Sequence, residues 1–442
     1  MKKISMLALA FVIASNGAMA GGFSLSEYST TSLGRGFAGM GVVGDDYSAI
    51  ISNPAGMTQM RDGLQVGSSF VDIYADLHDR SVAPGKEDRI NIFSAVPSFF
   101  AQTSLNDKTK IGLAFYTPYG IGTDYDKSWW GRDEALKSEV IVYDFTLSGA
   151  YELSSKLSLG ASLSTQIATA KLTNDLNKSR QADGSMVTIT QPHALNSDIE
   201  GDSDPVLAYT LGAMYKLNDN NRFGISYRSK SKFDLEGTHK LTANENITGQ
   251  GLNNYFGSKG LMSLYALVPA GFSIKGDAHA TITLPENLMV SSYHKVDDRL
   301  ALSATAKWTR WSRFKELNIY SNAMGADSLV SSTVENWRDT WTFSVGADYD
   351  YSKDWTFRLG LEVEQTPIPN NAHRTARIPD DDRRIASLGA SYKFDGGKVD
   401  LAYAHIFIDG GEAMYSEKDP GNFDTEYDLH INMLSVAVQY YF

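Results

Sequence analysis

Along most of the chain, apolar and polar residues alternate one by one. From Ile431 to the end, Leu434, Val436, Val438, Tyr440 and Phe442 share one face, and Met433, Ser435, Ala437, Gln439 and Tyr441 the other. The same period of two sets Ile141, Tyr143, Phe145, Leu147 and Tyr151 against Asp144, Thr146, Ser148 and Glu152. It also sets Trp355, Phe357, Leu359, Leu361 and Val363 against Thr356, Arg358, Glu362 and Glu364. Side chains on a strand point to alternate faces, so each run predicts a strand with one apolar side. About fourteen such runs begin near residues 63, 90, 109, 139, 156, 205, 222, 278, 299, 337, 354, 383, 398 and 431. Short turns, such as Asn106-Asp107-Lys108, Ser352-Lys353 and Asp395-Gly396-Gly397, alternate with long polar loops over about 173–204, 238–277, 320–336, 365–382 and 410–430. Short turns at one rim, long loops at the other and an even number of amphipathic strands predict an all-β fold, a 14-stranded antiparallel transmembrane β-barrel. The first run changes phase, with Leu64 and Val66 on one side and Val71, Ile73 and Leu77 on the other, which predicts a bulge there.

The first twenty residues add the destination. Lys2 and Lys3 precede an apolar stretch, Met6 to Ala14, too short to cross a bilayer, and Ala18-Met19-Ala20 forms an A-x-A cleavage site. Residues 1–20 read as a secretory signal peptide, residues 21–61 as a separate N-terminal plug, and residues 62–442 as the barrel. No later apolar run reaches 18 residues, which leaves a closed barrel as the way to satisfy the backbone in lipid. Trp129, Trp130, Trp308, Trp311, Trp337, Trp341, Trp355, Tyr440 and Tyr441 fall near segment ends, where interfacial girdles are expected.

Composition fits this picture once the barrel is assumed. The 442 residues carry a formal net charge of −12 and no cysteine. The mean hydropathy of −0.26 is what an apolar outside averaged with a polar lumen and wet loops gives. The acidic balance speaks against a nucleic-acid partner, and the lack of cysteine removes disulfides, thiolate nucleophiles and cysteine metal sites. None of the eight histidines stands beside a serine in a recognisable hydrolase motif, so neither an enzyme nor a cofactor is expected.

Residues 21 to about 61 do not alternate and are rich in glycine. Gly34-Arg35-Gly36-Phe37-Ala38-Gly39 spells G-x-G-x-x-G, but Ser29-Thr30-Thr31-Ser32 before it is no hydrophobic strand, so a plug of tight turns is the better reading. The start Gly22-Phe23-Ser24-Leu25-Ser26-Glu27, the turn Leu33-Gly34-Arg35-Gly36, Asp45-Asp46 and Asn53-Pro54-Ala55-Gly56-Met57 resemble the FadL family. So do Tyr119-Gly120, Asp354-Trp355-Thr356-Phe357-Arg358 and Ile378-Pro379-Asp380-Asp381-Asp382-Arg383. The resemblance covers essentially the whole chain after the leader. It implies a bacterial outer-membrane protein in which a fourteen-stranded barrel is closed by an N-terminal hatch. It also implies transport of long-chain fatty acids or other hydrophobic compounds, passively and sideways, through an opening at an inward kink of the third strand. The partners it implies are the hydrophobic cargo and outer-membrane lipid, with the barrel assembly machinery needed during biogenesis, and the protein is expected to be a monomer.

Site expectations follow from residues and resemblance together. Lys110 to Tyr116 runs into Thr117-Pro118-Tyr119-Gly120-Ile121-Gly122, where proline lacks a ladder donor and glycine tolerates unusual angles; Tyr119 and Gly120 match the kink of the family. Asn53, Pro54 and Ala55 match the hatch motif that touches this kink. The apolar stretch from Leu261 to Phe272, with Leu264 and Leu267 within it, suits a docking groove for cargo. Strand phase points Arg228, Lys307, Arg338, Arg358 and Arg383 inward, and the resemblance singles out Arg338 and Arg383 as carboxylate partners with Phe23 beside them. Where the resemblance leads one to expect a basic residue at the end of the fifth strand, this chain has Asn174 or Asp175. That departure keeps uptake of neutral or aromatic hydrocarbons open as the alternative.

Overall fold

The computed structural model describes residues 22–81, 85–176, 178–180, 186–188, 193–248, 267–416 and 423–442. The leader, Leu261 and Leu264 lie outside the described residues.

Fourteen strands follow the sequence. They are β1 (Gly63–Asp79), β2 (Glu87–Asn106), β3 (Thr109–Asp124), β4 (Lys137–Ser154) and β5 (Leu157–Leu176). The next five each run in two segments: β6 (Leu195–Ser203 and Val206–Asn218), β7 (Asn221–Arg228 and Ser231–Ala243), β8 (Ser273–Leu284 and Asn287–Lys295), β9 (Leu300–Thr309 and Glu316–Ser321) and β10 (Ser328–Val334 and Thr340–Asp350). Then come β11 (Trp355–Glu364), β12 (Arg383–Phe394), β13 (Gly397–Ile408) and β14 (Thr425–Tyr441). Each pairs antiparallel with the next, and β14 returns to β1 from Gly63↔Tyr441 to Asp79↔Thr425. The sheet therefore closes on itself as a barrel.

Several strands are longer than their hydrophobic runs. Below, near the short-turn rim, the lipid face is apolar, as at Phe145, Leu163, Leu207, Val345 and Leu359, while Ser148, Ser162, Thr210 and Ser344 face in and are buried. Towards the long-loop rim the pattern inverts. On β1, Val71, Ile73, Ala75 and Leu77 are fully buried in the lumen, while Asp72, Asp76 and His78 look outward. On β7, Phe233, Leu235 and Leu241 face in, while Lys232, Asp234 and Glu236 are exposed. The seventeen residues of β1 span roughly 56 Å at 3.3 Å per residue, well beyond the roughly 35 Å of tilted strand that the apolar band of an outer-membrane barrel takes up. The upper half stands in water with a dry inside. That explains the phase change in β1, which is an unbroken strand in register with both neighbours and carries no bulge. It also explains why 195–203 and 238–243 read as polar loops: their apolar residues face in, and their outer face is polar.

Residues 22–60 fill the lower lumen. α1 (Thr30–Gly34) is capped by Ser29, whose hydroxyl accepts from the Ser32 N–H, and Asp46 gathers the hydroxyls of Ser29, Ser32 and Ser48. α2 (Ala49–Ser52) leads into a 3-10 turn, Pro54–Gln59, whose first N–H is capped by Asn53. The hatch backbone runs so close to the wall that strand glycines make room for it. A Cβ on Gly360 of β11 would lie 1.9 Å from the Arg35 carbonyl carbon, and one on Gly160 of β5 would lie 2.4 Å from the Ala55 nitrogen. The hatch is also clamped by charge. Arg35 grips Asp45 (2.8 Å) and Asp348 of β10 (3.0 Å), and Arg358 of β11 reaches the same two carboxylates at 3.2 and 2.7 Å. Burial works to raise the Asp45 carboxyl, yet Arg35, Lys398 and Arg358 together hold it well below the usual carboxylate range.

Candidate functional site

The barrel wall is incomplete between β2 and β3. Their pairing runs from Asn106↔Thr109 to Phe99↔Phe115 and stops there, although both strands continue. Each loses a ladder donor close by, at Pro97 and at Pro118. Against β4, Tyr116 pairs with Asp144 and Tyr119 with Val142, so Thr117 and Pro118 share one opposing residue in a β-bulge. Beyond the bulge, Tyr116 to Thr123 is buried on both faces, which shows that this part of β3 has turned into the lumen. A cavity of about 90 Å³ occupies the gap, lined by Ile92 and Phe93 of β2, Gly122 and Thr123 of β3, and Ser138 of β4.

The hatch supplies the missing partner. Ser24 forms an antiparallel bridge with Tyr119; the Leu25 N–H donates to the Pro118 carbonyl (2.8 Å), and the Gly120 N–H donates to the Phe23 carbonyl (3.0 Å). Tyr119 and Gly120 lie just past the β-bulge, and the hatch residues that contact them are Phe23, Ser24 and Leu25. Asn53, Pro54 and Ala55 lie elsewhere, over a glycine-lined patch of β5, β6 and β7. There the Asn53 amide donates to the Ala213 carbonyl (3.2 Å), and Gly160 and Gly212 leave space for Pro54 and the Asn53 side chain. Asn53 caps the turn that follows it, so the motif fastens the hatch to the wall and does not touch the kink.

Phe23 is the centre of a buried aromatic cluster. Its ring lies 4.9 Å from Trp311, 5.8 Å from Phe314, 5.6 Å from Trp337 and 6.3 Å from Tyr119. Trp311 and Phe314 come from the interruption of β9 and Trp337 from that of β10, where the wall turns side chains inward. Trp311 and Trp337 are accordingly buried in the lumen and not at the membrane interface, as is Trp129, stacked on Tyr125 at 4.0 Å. Trp341, Trp355 and Tyr440 are exposed on the outer face, as a girdle requires. Gly22, at φ +65°, passes between the tryptophans, since a Cβ there would fall 2.8 Å from Trp337.

The cations divide differently from expectation. Arg338 is exposed, and its Nε donates to the Thr366 carbonyl (3.3 Å); the turn at Asn336 (φ +48°) puts Trp337 inside and Arg338 out. Arg383 does face in, but it is held by Asp380, which also accepts from the Gly22 N–H (3.0 Å) and the Thr366 hydroxyl (2.8 Å). Arg228 pairs with Asp144 at 2.9 Å. Residues 365–382, expected as an external loop, fold into the mouth, burying Ile368, Thr375, Ala376 and Asp380. Arg377 from this segment donates to Asn174 (3.2 Å). Leu267 and Phe272, the described ends of the expected docking stretch, are both exposed. Sequence reading had no signal for Trp311 or Phe314 as partners of Phe23, because a strand interruption brings them there. Pro97 opposite Pro118 was the available hint.

The remaining space separates wet from dry. Below the hatch, a cavity of about 750 Å³ opens at the short-turn rim among Asp45, Arg61, Lys295, Arg299, Asp350 and Lys393. Above it, a cleft of about 50 Å³ is lined by inward Val140, Leu172, Ile199, Leu235, Ile282 and Ile319.

A closed barrel with a dry upper lumen, an internal hatch and an opening in its wall defines a transporter of the outer membrane for hydrophobic compounds. Residues 11–442 match the family model described as outer membrane protein transport protein (OMPP1/FadL/TodX), and the chain belongs to that family. It is 28% identical to a long-chain fatty acid transport protein of Escherichia coli, over 96% of this chain and 95% of that one. It is 27% identical to outer membrane protein P1 of Haemophilus influenzae, over 92% and 90%. Among solved structures, a Pseudomonas aeruginosa FadL homologue superposes with a TM-score of 0.81 at 25% identity, covering 95% of this chain and 99% of that one. The Pseudomonas putida toluene transporter TodX shares the fold, with a TM-score of 0.68 at 19% identity, covering 96% and 98%.

Proposed function

We propose that the protein takes up long-chain fatty acids passively, by lateral diffusion through the β2–β3 opening, with the hatch segment Phe23–Leu25 as its gate. The observation that carries this is the bridge from Ser24 to Tyr119, which occupies the edge that β2 leaves free. Burial is worth roughly 0.8 kcal/mol per methylene, so a sixteen-carbon chain gains on the order of 10 kcal/mol in the dry upper lumen. Passing straight through would forfeit that gain in the charged cavity under the hatch. The side opening leads from apolar lumen to lipid without a wet step. The E. coli relative, named for long-chain fatty acids and aligned over nearly its full length, supports this cargo class. In this reading residues 1–20 are removed on export, residues 21–61 are the hatch and residues 62–442 the barrel. The barrel assembly machinery inserts it, and a single chain suffices, because the path lies within one barrel.

Neutral or aromatic hydrocarbons are the second reading, favoured by one observation: Arg338 points outward and Arg383 is already paired. Equilibrium binding of radiolabelled oleate and toluene to the purified protein tests the two. Saturable oleate binding with weak toluene binding is expected; the reverse order would replace fatty acids with hydrocarbons as cargo.

A further inference from the structure

Among the described residues, Arg377 in the outer lumen has no carboxylate partner. Arg377 is partly buried, and its Nη1 donates to the Ser138 hydroxyl (3.0 Å) and leans on the carbonyls of Lys137 (3.4 Å) and Thr173 (3.5 Å). Its Nη2 donates to the Asn174 side-chain oxygen (3.2 Å). All four acceptors are neutral. Its neighbours are satisfied: Arg374 pairs with Asp381 (2.8 Å), Arg383 with Asp380 and Arg228 with Asp144. No carboxylate among the described residues forms an ion pair with Arg377, and Glu134 acts on it only from a distance. Desolvation brings the guanidinium down to about 10, so it stays charged at neutral pH. Guanidinium groups held in protein interiors are normally matched by a carboxylate or phosphate, and a planar fork of donors suits such an anion.

What lies beside this cation gives the anion its chemistry. Ser138 and Asn174 are buried on the lumen side of β4 and β5, and the next inward residues are Val140 and Leu172. One pleat repeat, roughly 7 Å, therefore separates the guanidinium from the start of the apolar cleft. The cleft continues across β6, β7, β8 and β9 through Ile199, Leu235, Ile282 and Ile319. A lone positive charge at one end of an apolar wall is the complement of an amphiphile with a single anionic head.

We propose that Arg377 anchors the carboxylate of the cargo, with the acyl chain laid along the cleft from Val140 and Leu172 towards Ile319. This rests on the fatty-acid reading and names the residue that would set acid over neutral cargo. The test compares equilibrium binding of oleate and of oleyl alcohol to wild type, Arg377→Gln and Arg377→Lys, each checked for the folded-barrel shift on unheated gels. Arg377→Gln is expected to weaken oleate roughly tenfold or more, the worth of one charge-assisted hydrogen-bonded pair, while leaving oleyl alcohol within about twofold. Arg377→Lys should keep most of the preference for the acid. If Arg377→Gln retains the wild-type ratio of oleate to oleyl alcohol affinity, the anchor is wrong and the fatty-acid reading stands. Equal losses for both ligands would make Arg377 a structural residue and also overturn the anchor. Wild type that binds toluene but neither long-chain ligand would overturn the fatty-acid reading and the anchor with it.

Discussion

At the scale of single residues, two hatch side chains carry measurable consequences. Phe23 touches four aromatic rings and is 2% exposed, so Phe23→Ala leaves a void that the tryptophans cannot close without moving. A loss of about 3–5 kcal/mol in hatch docking is expected from such a truncation. It should appear as a red shift in the fluorescence of Trp311 and Trp337, together with impaired oleate uptake; an unchanged spectrum would remove Phe23 from the centre of the cluster. Glu27 is buried beneath the same segment, and burial pushes its carboxyl up to about 7 despite the hydrogen bond from the Ser26 N–H (2.7 Å). The docked hatch therefore holds this proton more tightly than the undocked chain, whose carboxyl titrates near 4.5. Docking is unpenalised below that value and loses stability as pH rises through about 7, by no more than about 3 kcal/mol. Thermal denaturation from about pH 5 to pH 8 should show the fall in wild type, and Glu27→Gln should flatten it. A slope equal in both proteins would place the titration on another group.

At the scale of elements, the proposed gate is three residues of hatch seated on one kinked strand. Ser24 and Tyr119 face each other with the flanking amides, not their own, making the hydrogen bonds. That is the closer kind of antiparallel pair, with Cα atoms about 4.5 Å apart and within disulfide reach. The chain has no cysteine of its own, so Ser24→Cys with Tyr119→Cys gives one unambiguous crosslink. Oxidised, the double variant should lose oleate uptake at normal surface abundance and regain most of it on reduction. Uptake that ignores the redox state would mean that cargo passes without undocking this segment. Asn53→Ala, by contrast, removes a cap and a wall contact far from the kink, and its expected effect is about 1 kcal/mol of hatch stability with the gate intact.

At the scale of the whole molecule, the hatch fills the lower lumen, and the Arg35–Asp45–Arg358–Asp348 cluster is its electrostatic fastening. Asp45→Asn leaves Arg35 with Asp348 alone, while Arg358 shares Asp348 and keeps Asp400 at 3.8 Å. Breaking a buried pair on one side costs roughly 3–5 kcal/mol. Purified wild-type protein in planar bilayers should pass little current, and Asp45→Asn should open to larger, fluctuating conductances. Quiet traces from the variant would show that glycine-lined packing alone seats the hatch.

The sequence by itself determined the barrel. Period-two alternation, short and long connections in turn, and the terminal aromatic strand are local properties, and fourteen strands follow from them. Pro118 and the glycines beside it marked the break in β3 for the same local reason, a missing donor and permissive backbone angles. Strand length was not legible, because above the bilayer the apolar face turns inward and hydropathy averaged along the chain cannot tell inside from outside. The partners were not legible either. Ser24 meets Tyr119, Gly22 meets Asp380 and Arg377 meets Asn174 across barrel closure and hatch docking, contacts between residues far apart in the chain that no spacing encodes. Arg338 and Arg377 show the difference most plainly. Both are arginines near the long-loop rim, and only the backbone turn at Asn336 and the inward fold of residues 365–382 decided which one faces the lumen.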